Sequence, residues 1–168
     1  MRRYVGKSRI NTTIDFGVLG KRFYSIRLPR PWFEPAPMER PTMKYRLMDL
    51  LACPICKEFP LELKVFAERE VDRAPALVKC ELYCGYERKQ VSELEEKPCK
   101  ACGRREISEG VLLCQECARW YPIIEDIPRM LPDDLRNKNQ DLSFMSKWRS
   151  EIPQNVLDSG KPFNLKQR

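Results

Sequence analysis

Four close pairs of cysteines, short apolar runs with strand-like alternation and one helical stripe near the C-terminus predict a small α+β fold. The expected architecture is a zinc-ribbon-like antiparallel sheet with a short N-terminal helix, an inserted second zinc ribbon and a C-terminal helix. Charged residues make up 33% of the 168-residue chain. No apolar run approaches the roughly 18 residues that a membrane span needs, and the N-terminus lacks the apolar core of a secretory signal. The expectation is a soluble, cytoplasmic protein without membrane contact.

Residues 1–42 carry nine Lys/Arg against three Asp/Glu, a balance of +6 within the chain's net +7. The rest of the chain has 22 against 21 and is nearly neutral, so it lacks the basic face of a nucleic-acid grip. Five prolines, at 29, 31, 35, 37 and 41, block helix and favour an extended linker. Arg and Lys interleave with Tyr4, Phe16, Phe23, Tyr24, Trp32 and Phe33. Residues 1–42 therefore read as a basic, Pro-rich extension, either a flexible segment lying upstream of a natural start at Met43 or an arm for RNA phosphates and bases.

A zinc-binding domain is expected over 43–135. Leu47, Leu50 and Leu51 recur at helical spacing and predict a short helix over Met43–Ala52. It runs into Cys53-Pro54-Ile55-Cys56, a knuckle whose proline fixes the backbone. Leu61, Leu63 and Val65 alternate, so Pro60–Phe66 is a strand. A nested insert over 67–108 begins with a strand at Ala76–Cys80 and a knuckle, Cys80-x-x-x-Cys84, whose following Gly85 permits a positive φ. Val91–Lys97 reads as loop or a helical turn, and Cys99-x-x-Cys102 follows, with Gly103 next. Then come strands at Val111–Leu113 and Trp120–Ile124 on either side of Cys114-x-x-Cys117, a turn at Glu125-Asp126, and an apolar edge at Ile127–Leu131.

Residues 136–168 are expected to be a C-terminal helix and tail. Asp133 or Asp134 can cap the helix, and Leu131, Leu135, Leu142, Met145 and Trp148 fall on one helical face. Pro153 ends it, and the last fifteen residues read as a loose tail.

All eight cysteines fall in close pairs, and the chain has no histidine. Disulfides are uncommon in cytosolic proteins, and a redox C-x-x-C needs a thioredoxin-like context that is missing here. Thiolates without a competing ligand type favour zinc, with rubredoxin-like iron as the minor rival. Four pairs make two closed Cys₄ sites, hence two structural Zn²⁺ ions, matched in three possible ways. The nested match joins Cys80 and Cys84 to Cys99 and Cys102, and Cys53 and Cys56 to Cys114 and Cys117. Spacing leaves the sequential and crossed matches open.

Closed sites leave no open metal position, and there is no nucleophile–base pair, nucleotide loop or paired-carboxylate site. The expectation is a non-catalytic protein with no cofactor site of its own. Trp120, Tyr121, Ile123, Ile124, Ile127, Met130 and Leu131 are too many apolar residues for a zinc ribbon's own core. Some can pack beneath the C-terminal helix; the rest can face another protein, as an apolar patch or an open strand edge. Pro128 cannot donate a ladder hydrogen bond and suits an edge. The expected partner surface comprises Leu47, Leu50, Tyr121, Ile124, Ile127, Pro128, Met130 and Leu131.

The pieces MKYRLMDLLACPIC and EGVLLCQECARWYPIIEDIPRMLPDDL resemble the two halves of a zinc-binding activator subunit of methyltransferases, the tRNA methyltransferase subunit 112 family, here in an archaeal-like form with an inserted second Cys₄ module. The resemblance covers roughly residues 43–135. It implies an obligate helper that forms a heterodimer with class I S-adenosylmethionine methyltransferases acting on tRNA, rRNA or a translation release factor. S-adenosylmethionine is then held only by the partner, and RNA is met indirectly or through 1–42. By the same resemblance Cys53, Cys56, Cys114 and Cys117 hold the family's zinc. The second Cys₄ set, the first 42 residues and the C-terminal extension depart from the family pattern. The competing expectation is a zinc-ribbon RNA-binding or ribosome-associated protein that uses the basic arm.

Overall fold

The computed structural model describes residues 42–72 and 78–166; the arm at 1–41 lies outside them. In chain order the strands and helices are β1 (Met43–Lys44), β2 (Glu62–Glu70), β3 (Tyr83–Cys84), β4 (Lys89–Gln90), α1 (Cys99–Cys102), β5 (Arg105–Leu113), β6 (Trp120–Ile124), β7 (Ile127–Pro128), α2 (Lys138–Lys147) and α3 (Gln154–Ser159). The main sheet is antiparallel and centred on β5. β2 pairs along the whole length of β5, from Glu62 opposite Leu113 to Glu70 opposite Arg105. On its other side β5 meets β6 at its C-terminal end and β1 near its N-terminal end. A separate two-stranded ribbon, β3–β4, lies in the insert.

Both faces of the sheet are covered. In β6 the pleat sends Tyr121 and Ile123 into one core, with Met43, Met48, Leu61, Leu63 and Leu112. Trp120 goes into the other, with Phe144, Met145, Ile152, Val156 and Leu157, and Ile124 packs at its margin. Trp148 stacks on Phe66 at 5.0 Å between centroids. A strand buried on both faces needs apolar residues at every position, and this accounts for most of the apolar surplus. Ile107 and Val111 are four residues apart yet serve opposite cores. The register slips at Phe66 of β2 and again at Ser108 of β5, which has no partner across the pair, and the second irregularity reverses the alternation along β5.

Several expected elements take other forms. The helix over Met43–Ala52 is a two-residue strand followed by a 3₁₀ turn at Tyr45–Asp49, because β1 pairs with Ile107 and Glu106. Residues 78–80 form no strand, and 76–77 lie outside the described residues. Gly85 is not in the left-handed region; a Cβ there would sit 2.6 Å from Met48 Cβ and the Tyr45 carbonyl oxygen, so close approach is what requires glycine.

The C-terminal helix starts later than expected. Asn137 caps α2, accepting from the N–H groups of Asn139 and Gln140 at 3.0 and 3.1 Å. Asp133 cannot cap it, since its carboxylate takes Arg119 Nε and a terminal nitrogen at 3.1 and 2.8 Å. Leu131 and Leu135 therefore fall off the helical face and stand 43% and 63% exposed. The tail is not loose. α3 buries Val156 and Leu157, and Trp120 Nε1 donates to the Phe163 carbonyl at 2.9 Å.

Candidate metal centre

The two outer knuckles are built alike. Cys53 N–H donates to Glu58 O at 2.9 Å, and Cys114 N–H to Arg119 O at 2.8 Å, each closing a loop between residues i and i+5. The residue after each second cysteine turns left-handed, Lys57 at φ 66° and Ala118 at φ 56°. That turn folds each pair of thiols toward the other. The sulfurs of Cys53, Cys56, Cys114 and Cys117 all lie within 4.8 Å of one another. Cys56 and Cys114 Sγ are 3.4 Å apart, Cys53 and Cys117 Sγ 3.7 Å. Of the three possible matches, the structure brings these two pairs together.

The donor set fits a tetrahedral thiophilic cation. Cys53 and Cys114 are buried and Cys56 reaches the surface. Burial pushes the Cys53 thiol up, but the Tyr121 hydroxyl at 3.2 Å and the N–H groups of Cys56 and Ile55 outweigh it and hold the thiol down at about 6. Burial pushes Cys114 up to about 12, and the neighbouring thiols add to this. Four sulfurs within 4.8 Å of one another cannot all carry charge unaided. A divalent cation removes their mutual repulsion and draws off the remaining protons. A zinc ion held by these four thiolates would have four protein ligands and no open position, the arrangement of a structural site.

The inner cysteines are placed differently. Cys80, Cys84, Cys99 and Cys102 all line one cavity of about 300 Å³. Among the described residues, however, the outer four alone form a group of three or more ligands within 4.8 Å. Burial is the main reason that the Cys80 and Cys102 thiols are pushed up, to about 11 and about 12.

The expected partner surface divides. Leu50 and Ile127 are 61% and 50% exposed, and Leu131 also stands in solvent. Leu47 and Met130 are half-buried against the first core and Ile124 against the second, and Pro128 is half-buried in β7 at the sheet edge. Tyr121 is a correction: it is wholly buried with its hydroxyl on Cys53, and its ring faces the metal side of β6, not a partner. Two surface features escaped the sequence reading. Leu135, expected on a helical face, precedes α2 and is exposed. β2 pairs only β5 among the described strands, which leaves a nine-residue edge; edges are invisible until strand order is known. The Glu125-Asp126 turn is present, with both residues left-handed at φ 51° and 69°.

No helix among the described residues is long and apolar enough to cross a membrane. The model of the Trm112p-like protein family matches residues 44–126. A search of curated proteins finds no match.

Proposed function

We propose, from the premise that this chain belongs to the Trm112p-like family, that it is the non-catalytic, zinc-stabilised subunit of a heterodimer with class I methyltransferases acting on tRNA, rRNA or a release factor. The family is one of small regulatory subunits that activate methyltransferases. In this reading Cys53, Cys56, Cys114 and Cys117 hold one zinc ion, which fixes the two knuckles and hence β6 and β7. The chain binds no S-adenosylmethionine itself; the methyltransferase does. A cytoplasmic location belongs to the same reading.

The observation that carries the docking surface is the exposure of Ile127 and Leu131. They follow a strand that is buried on both faces, yet they stand 50% and 43% in solvent. Apolar side chains left in water beside an edge strand suit a protein partner. The test is affinity purification of the tagged chain from its own cells. Wild type is expected to bring down methyltransferases, and Ile127→Asp with Leu131→Asp to lose them while remaining folded. A wild-type preparation without any methyltransferase overturns the function. Unchanged recovery with the double variant overturns the surface.

A further inference from the structure

We propose that Cys80, Cys84, Cys99 and Cys102 form a second zinc site that is completed only when the Cys99–Cys102 arm closes onto the Cys80–Cys84 arm. The four cysteines are free and line a single cavity. Its remaining lining includes Leu47, Val78, Val91 and Leu94 and contains no carboxylate. A pocket whose metal-binding atoms are all sulfur selects a thiophilic cation of the zinc type. Lys44, Arg46 and Lys97 also line it. On binding, four S–H protons leave to solvent and four S–Zn bonds form, giving a centre of net charge −2 that Arg46 and Lys97 offset, Lys44 being already paired with Glu106.

The two arms differ in how firmly they are held. Asp49, itself buried, accepts from the N–H groups of Glu81, Leu82 and Tyr83 at 2.8, 2.9 and 2.7 Å. Gly85 is pressed against Met48, and Cys84 is buried. The first arm is thus fixed to the core. The second is one helical turn, with Gly103 N–H on Cys99 O at 2.9 Å and Gly103 right-handed at φ −65°. In both outer knuckles the residue at this place is left-handed, although neither is glycine. Glycine enters that region without the Cβ penalty. Turning Gly103 would convert the helical turn into a knuckle like the outer two and bring its thiols across the cavity. The cavity is wider than an ion bound by sulfurs at about 2.3 Å requires, so closure has to accompany binding.

The test is a Zn²⁺ titration of the metal-depleted full-length chain, read by bound metal and by alkylation of Cys99 and Cys102. Two equivalents are expected, the second protecting both thiols; Cys99→Ser with Cys102→Ser should bind one. Gly103→Ala should weaken the second equivalent about tenfold and leave the first unchanged, since a left-handed alanine is disfavoured by roughly that factor. One equivalent at saturation in wild type, or two in the double-serine variant, overturns the site. Equal second-equivalent affinity in Gly103→Ala overturns the closure.

Discussion

The Tyr121 hydroxyl lies 3.2 Å from the Cys53 sulfur. With Cys53 as a thiolate the phenol donates, so a core residue supports a metal ligand from behind. Burial and this bond together push the Tyr121 hydroxyl up, which keeps it a donor. Tyr121→Phe removes one oxygen and little volume. It is expected to weaken outer-site zinc by about tenfold, the lower end for loss of a supporting hydrogen bond. Competition with a chelator measures this; unchanged affinity would mean that the hydroxyl serves packing alone.

Glu106 gathers Thr42, Lys44 and Arg69, with oxygen contacts of 2.8, 2.8 and 2.9 Å. Burial pushes its carboxyl up, but Lys44, Thr42 and Arg69 outweigh it and hold it below the ordinary value. A depressed acid contributes stability above its unfolded pKa, near 4.3. That contribution is lost as pH falls through the lower folded pKa. Glu106→Gln is expected to cost about 1 kcal/mol at neutral pH, since Lys44 and Arg69 are partly solvated. Denaturant titrations at descending pH should show the gap from wild type closing on the acid side. A gap that widens there would contradict the assignment.

Arg136 is almost wholly buried. It pairs with Asp141 at 2.8 Å and lies 4.3 Å over the Trp120 ring. Burial pushes the Asp141 carboxyl up, with Arg136 opposing. Arg136→Ala leaves that acid without its partner and is expected to cost about 3–5 kcal/mol. Without Arg136 the folded acid pKa rises further above the unfolded one, so the loss should shrink as pH falls toward about 4. Adding Asp141→Leu should recover much of the loss. Thermal unfolding of the three chains decides, and a loss under about 1 kcal/mol would show the pair to be dispensable.

Residues 154–166 support the second core and one knuckle. Lys161 N–H bonds Ala118 O at 2.9 Å, next to Cys117, and Trp120 N–H bonds Lys161 O at 3.3 Å. Deleting 154–168 uncovers Trp120 and removes Val156 and Leu157. The expected cost is about 3 kcal/mol or more, with faster zinc loss from the outer site. A truncated chain with the wild-type urea midpoint would refute this.

Local patterns were legible in the sequence. The outer cysteine pairs, β6 and the Glu125-Asp126 turn all arise within a few residues, where spacing and alternation fix the geometry. β2 was found but ends at Glu70, not Phe66, because its far half is held by long-range pairing with β5. The same pairing makes β5 nine residues long where only Val111–Leu113 was legible. Arg105, Glu106, Ser108 and Glu109 have no strand signature of their own.

The sequence by itself determined which thiols are available and that the segment around Trp120-Tyr121-Pro122 is too apolar for one small core. Only the tertiary structure decided where that surplus goes. The sheet is covered on both faces, so alternation no longer separates inside from outside, and Tyr121 turns inward while Ile127 and Leu131 remain in water. The choice among cysteine matches was likewise tertiary, since the two outer knuckles are joined by strands that pair across 35 to 51 residues of chain, from Glu70–Arg105 to Glu62–Leu113.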